Sequence, residues 1–117
     1  MRNYKNFTVW QKSHQLTLDV YNIVKDFPKE ELFGLTSQIK RASTSIPTNI
    51  AEGCGRITDK DFARFLIIAY GSANELEYQF ILSKDLNFIC LETSEKLLLQ
   101  IEEIKKMLNS LISKLSN

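Results

Sequence analysis

The chain has 117 residues, 44% of them apolar and 25% charged, the size and composition of an ordinary globular domain rather than of a disordered or fibrous chain. Fifteen basic residues against fourteen acidic leave a net charge of +1, well short of the strongly basic balance typical of nucleic-acid-binding domains. The N-terminus, Met1 to Phe7, has no apolar core of signal-peptide length, and the longest apolar run, Phe65 to Tyr70, is far below the roughly 18 residues a membrane-spanning helix needs.

These exclusions point to a soluble, cytoplasmic protein with no membrane contact. No repeat, linker or low-complexity segment divides the sequence, so residues 1–117 read as one domain. Cys54 and Cys90 stand far apart with no CxxC spacing, which speaks for reduced thiols rather than a disulfide framework or a metal site. Charge is uneven along the chain: residues 1–57 carry eight basic and five acidic side chains, residues 58–117 seven and nine. That polarity permits an anionic partner without demanding one.

Helical periodicity dominates. A first helix is expected to open at Thr8, whose hydroxyl can cap the free amides, with Gln11 completing a capping box. Val9, Ser13, Leu16, Val20, Ile23 or Val24, and Phe27 recur at steps of three and four, and Pro28 ends the run. After a tight connection over Lys29–Gly34, a second helix spans about Leu35 to Gly53 on the ladder Leu35, Ile39, Ala42, Ile46 and Ile50. Pro47 lies inside it, deletes one backbone hydrogen bond and is expected to kink it; Gly53 and Gly55 then close it in a left-handed turn. Thr58, with Asp59 and Asp61 in the first turn, starts a third helix that fades near Asn87. Thr93 and Glu95 open a fourth, with Leu97, Ile101, Ile104, Leu108, Leu111 and Leu115 on one stripe. Four helices with short connections make an all-α, antiparallel up-down-up-down four-helix bundle.

The third helix carries more apolar surface than one bundle position covers. Phe62, Leu66, Ala69, Ala73 and Phe80 face one way, whereas Ile67, Tyr78 and Leu82 lie opposite, with Ile68 and Ile81 on the flanks. A helix apolar all round is buried all round. The extra face therefore implies a subunit interface, unless loops or the N-terminal arm cover it. Trp10 and Tyr21, beside the core stripe of the first helix, are residue types favoured at interfaces. Along the second helix a polar stripe, Gln38, Arg41, Ser45, Asn49 and Glu52, runs beside the apolar ladder, and the third helix offers Asn74, Glu75 and Gln79. Three readings stand: a solvated face, a buried network fixing helix register, in which Arg41 and Glu52 would each need a compensating charge, or a ligand-binding stripe.

Nothing in the sequence assembles a catalytic site. The one histidine, His14, shares a face with Trp10 and Tyr21, and no Ser or Cys nucleophile with an acid can be placed around it by spacing. Walker, GxGxxG, HExxH and ExxH signatures are missing, so no enzyme, cofactor or metal is expected.

The order of short motifs is more telling. Val9-Trp10-Gln11-Lys12, Phe27-Pro28-Lys29-Glu30-Glu31, Phe33-Gly34-Leu35, Gln38-Ile39-Lys40-Arg41-Ala42 and Ser45-Ile46-Pro47-Thr48-Asn49-Ile50-Ala51-Glu52-Gly53 follow one another. Phe62, Phe65-Leu66, Ile68-Ala69, Gly71-Ser72 and Glu75 come next. Over nearly its whole length the chain resembles the bacterial four-helix-bundle proteins encoded in intervening sequences of the large-subunit (23S) ribosomal RNA gene. That family includes relatives of the accessory protein of diversity-generating retroelements, which binds a reverse transcriptase and nucleic acid through a basic surface. The resemblance implies a ring-like homo-oligomer of five subunits in an RNA-related setting, and no catalytic residues.

Two functional expectations follow. The first is a non-catalytic, oligomeric, RNA-associated protein contacting phosphates through Lys5, Lys12, Lys40, Arg41 and Arg56. The second is a scaffold whose ring binds a protein partner, such as a reverse transcriptase or a ribosome-assembly factor. The expected oligomer contacts are Trp10, Tyr21, Ile67, Tyr78 and Leu82; the polar network is Gln38, Arg41, Ser45, Asn49, Glu52 and Glu75.

Overall fold

The structure, a computed structural model, describes residues 2–116. Four helices account for most of them: α1 (Thr8–Ile23), α2 (Leu35–Cys54), α3 (Asp59–Asp85) and α4 (Leu91–Ser116), with short 3-10 turns at Tyr4–Asn6, Val24–Asp26 and Lys29–Glu31. No strand occurs among the described residues.

Side-chain contacts give the topology. Tyr21 reaches Thr44 and Thr17 reaches Ser43, Ser45 reaches Ser72, Lys105 reaches Glu77, and Lys12 and Asp19 reach Glu103 and Gln100. Gly53, eight residues past Ser45, faces Phe62, ten before Ser72. The α2–α3 and α1–α4 contacts run in opposite senses along the two helices, and Arg2, just before α1, reaches the Arg56 carbonyl just past α2, so every neighbouring pair runs antiparallel. α1 packs on α2 and α4, and both of those pack on α3, so α1 and α3 occupy opposite corners of a bundle 43 Å long and 23 × 20 Å across.

The core follows the apolar ladders. Leu16, Val20, Ile39, Ile46, Ile50, Phe62, Leu66, Phe80, Leu97, Ile101, Ile104 and Leu108 are all buried to within a few per cent. At the end of α2, glycine serves packing. A Cβ on Gly53 would lie 2.9 Å from both Phe62 Cδ1 and Phe65 Cβ, so only a hydrogen lets α3 come this close. This corrects the expected left-handed closure: α2 continues through Gly53 to Cys54, and Gly55 is right-handed at φ −82°. The left-handed residue is instead Asn87, φ 65°, just beyond α3, where asparagine is tolerated.

Helix starts depart from expectation in two further places. Phe7, not Thr8, occupies the cap of α1 and offers no side-chain bond; Gln11 Nε2 donates to the Lys5 carbonyl at 2.8 Å instead of closing a capping box. α4 begins two residues before Thr93, because Cys90 caps it: its carbonyl accepts the Ser94 amide and its Sγ lies 3.5 Å from the Thr93 nitrogen. Thr58 does cap α3, its hydroxyl accepting from the Asp61 amide.

α2 runs unbroken through the buried Pro47. Proline has no N–H, so the Ser43 carbonyl four residues earlier loses its intrahelical donor. The Thr17 hydroxyl of α1 lies 2.9 Å from that carbonyl and 3.0 Å from its own Ser13 carbonyl, and so supplies the missing bond from the next helix.

Candidate nucleic-acid interface

One end of the bundle gathers the N-terminal arm, the α2–α3 connection with the first turn of α3, and the last turns of α4. Arg2 ties the N-terminal arm to the start of α3: Nη1 donates to the Arg56 carbonyl and Nη2 to Asp59 Oδ1, both at 2.6 Å, while its guanidinium lies 4.4 Å over the Phe62 ring. Arg56 and Arg64 each lie 4.6 Å from the Phe65 ring, and Asp61 pairs with Arg64 at 3.0 Å and Arg56 at 3.7 Å. Stacking of this kind holds a guanidinium in place while its donors stay exposed. Lys5, Lys60 and Lys114 stand nearby without an ion pair among the described residues.

Residues 2–8, 52–64 and 106–116, which build this end, carry seven basic and three acidic side chains; the rest of the chain carries eight and eleven. Charge is thus segregated along the long axis. The sequence halves hid this, because each helix crosses the bundle from end to end. Sequence reasoning missed Arg2, Lys60, Arg64, Lys106 and Lys114; the available signal was that α2 must end where α3 and α1 begin and α4 ends.

The expected phosphate-contacting residues fall in three places. Lys5 and Arg56 belong to the basic end. Lys12 sits farther up α1 in an ion pair with Glu103 at 3.0 Å. Lys40 lies 5.2 Å over the Tyr21 ring, and Arg41 lines a cleft between α2 and α3. That cleft, about 420 Å³, is formed by Gln38, Arg41, Ala42, Ser45, Ser72 and Glu75. Across the helices Ser45 Oγ meets Ser72 Oγ at 2.8 Å, and within α2 Asn49 Nδ2 donates to the Ser45 carbonyl at 2.8 Å. Gln79 Nε2 donates to Glu75 Oε2 at 3.3 Å. Gln38, Arg41, Glu52 and Glu75 remain exposed, so the stripe buries hydroxyls and an amide but no charge.

The outer face of α3 exposes Ile67 (56%), Ile68, Tyr78 (61%) and Ile81; Leu82 is half-buried against its own subunit. Gly71 lies on the same face, and a Cβ there would meet nothing within 4 Å. On α1, Tyr21 and Leu18 are exposed. Trp10 is half-buried, edge-on to Tyr4 at 5.0 Å and stacked on His14 at 5.2 Å. No cluster of three or more metal-ligating side chains occurs among the described residues, and no described helix is long and apolar enough to cross a membrane.

In architecture the described residues form an all-helical four-helix bundle with a cationic end. More particularly, the chain belongs to the family of 23S rRNA-intervening sequence proteins, matching it over residues 5–110. It is similar to a crystal structure of a protein of unknown function from the S23 ribosomal protein family of Bacteroides thetaiotaomicron VPI-5482. The two share 34% identity at a TM-score of 0.84, over 90% of this chain and 95% of that one. No curated protein matches the sequence significantly.

Proposed function

We propose that this protein is a non-catalytic, self-associating RNA-binding protein that contacts phosphates through the basic end of its bundle. The segregation of seven basic against three acidic side chains at that end carries the reading; the family's link to ribosomal RNA genes agrees with it. Lys5, Arg56, Lys60, Arg64 and Lys114 are the contact residues. Lysines and stacked arginines without a shaped base pocket give affinity without sequence specificity.

Self-association uses the outer face of α3 around Tyr78 and Ile81. Because exposed apolar side chains also lie on α1 at the opposite corner, α3 of one copy fits against α1 of the next. Two different faces make a heterologous contact, which closes into a ring where the rotation allows; the family resemblance favours five subunits.

Binding of a single-stranded RNA followed by fluorescence anisotropy tests the reading. With about five phosphate contacts, affinity falls roughly a hundredfold between 50 and 200 mM salt. Lys60→Glu with Lys114→Glu abolishes most of the binding, while Lys25→Glu with Lys29→Glu at the other end leaves it unchanged. Equal losses from both pairs, or binding insensitive to salt, overturn the assignment.

A further inference from the structure

The end opposite the basic one carries a pair of exposed apolar side chains. Leu32 and Phe33, 50% and 92% exposed, follow the 3-10 turn Lys29–Glu31. They are held there by backbone bonds from Leu32 to Lys29 and Gly34 to Glu31, and by Glu31 Oε1, which accepts the Leu35 amide at 3.2 Å. Phenylalanine fixed in water by hydrogen bonds on both sides is a preorganised anchor rather than a floppy loop tip. Around it the end is acidic: Asp26, Glu30, Glu31, Asp85, Glu92 and Glu95 outnumber Lys25, Lys29, Lys84 and Lys96.

The basic end offers the complement. A groove of about 830 Å³ between the start of α3 and the end of α4 has Ala63, Ile67 and Leu115 as apolar lining, with Lys60, Asp61 and Arg64 beside them, Asp61 being ion-paired to Arg64. It is large enough for a phenylalanine and a leucine, and with Arg64 paired to Asp61 its rim keeps one net positive charge, from Lys60, opposite in sign to the acidic end.

From this complementarity we infer that copies of this chain associate end to end, Phe33 and Leu32 of one entering the Lys60–Arg64 groove of another. An end of 23 × 20 Å buries an area at the low limit of specific interfaces, below about 1,200 Å² in total, so a single contact is weak and reversible. Where the chains already form rings, as proposed above, all acidic ends lie on one face and all basic ends on the other. Stacked rings then make several contacts at once and gain avidity. RNA phosphates and the acidic end compete for the same basic groups, so RNA disperses the stacks.

Sedimentation velocity of the full chain decides the matter, at low micromolar and at several hundred micromolar protein, in about 50 and about 300 mM salt. At high salt the chain shows its base assembly, whatever its subunit number; that mass alone tests the ring. At low salt the apparent mass is expected to rise at least about twofold with concentration, as weak contacts of this size require. Phe33→Ser removes the rise and leaves the base assembly intact. Lys60→Glu removes it as well, and adding Glu30→Lys to that variant restores it. Mass independent of concentration at low salt, growth that survives Phe33→Ser, or a base assembly altered by Phe33→Ser overturns the inference.

Discussion

At the scale of single residues, the Ser43 carbonyl gives the sharpest prediction. Pro47 deprives it of a donor, and Thr17 of α1 provides one at 2.9 Å. Thr17→Val leaves a buried carbonyl unsatisfied and costs about 1–2 kcal/mol in urea unfolding. In a Pro47→Ala background the new amide serves Ser43, and the same change costs close to nothing; a double-mutant cycle with no coupling would refute the link. The two thiols are likewise set apart by their surroundings. Hydrogen bonds from Thr93, first its side chain and then its backbone, pull the Cys90 thiol below its ordinary value, whereas burial pushes Cys54 up, only partly offset by Arg2. Thiolate is the reactive form, so iodoacetamide is expected to modify Cys90 first and at lower pH, and Cys54 only once the chain unfolds. Thr93→Ala shifts the Cys90 profile to higher pH; an unshifted profile would show that the contact does not tune the thiol.

Whole helices show which parts of the sequence were readable. Val9, Leu16, Val20, Ile39, Ile46, Ile50, Leu97, Ile101, Ile104 and Leu108 marked the buried faces because a 3.6-residue period survives folding unchanged. Helix ends were harder to place. Cys90 caps α4 through a sulfur that sequence rules do not expect, and Gly53 looked like a terminator because nothing local reveals that Phe62 and Phe65 will press on it. The exposed apolar face of α3 was legible, including Ile67 and Tyr78, although Leu82 is half absorbed by its own subunit. Each large apolar side chain moved from water contributes roughly 1.5–3 kcal/mol. Tyr78→Glu is therefore expected to convert the proposed assembly into smaller, still helical species by light scattering. An unchanged mass would place the contact elsewhere. Gly71→Ala offers a finer measurement: alanine favours the isolated helix by about 1 kcal/mol, so a weaker assembly on a more stable subunit would mean that another backbone comes close there.

At the scale of the molecule, the basic end escaped the sequence because its charges come from three stretches far apart in the chain. Only antiparallel stacking of helices roughly 24–40 Å long sorts them. The net charge of +1 hides a body with opposite poles, and net charge alone is a poor guide to what such a body attracts. Reversing Lys60 and Lys114 together is expected to flatten the salt dependence of RNA affinity by about two contacts' worth of counterion release, a slope change of roughly 1.4. A uniform loss with the slope intact would mean that these lysines support the fold rather than touch phosphate.

The same sorting has a consequence at the purification bench. A protein of near-zero net charge with its ions evenly mixed passes through both kinds of ion-exchange resin near pH 7.7, its sequence isoelectric point. This one presents a cationic pole to a sulfonate bead and an anionic pole to a quaternary-amine bead, so both resins hold it in the same neutral, dilute buffer. Elution from the sulfonate column shifts earlier for Lys60→Glu and from the amine column for Glu30→Lys. Its chromatography reports which way round the molecule lies.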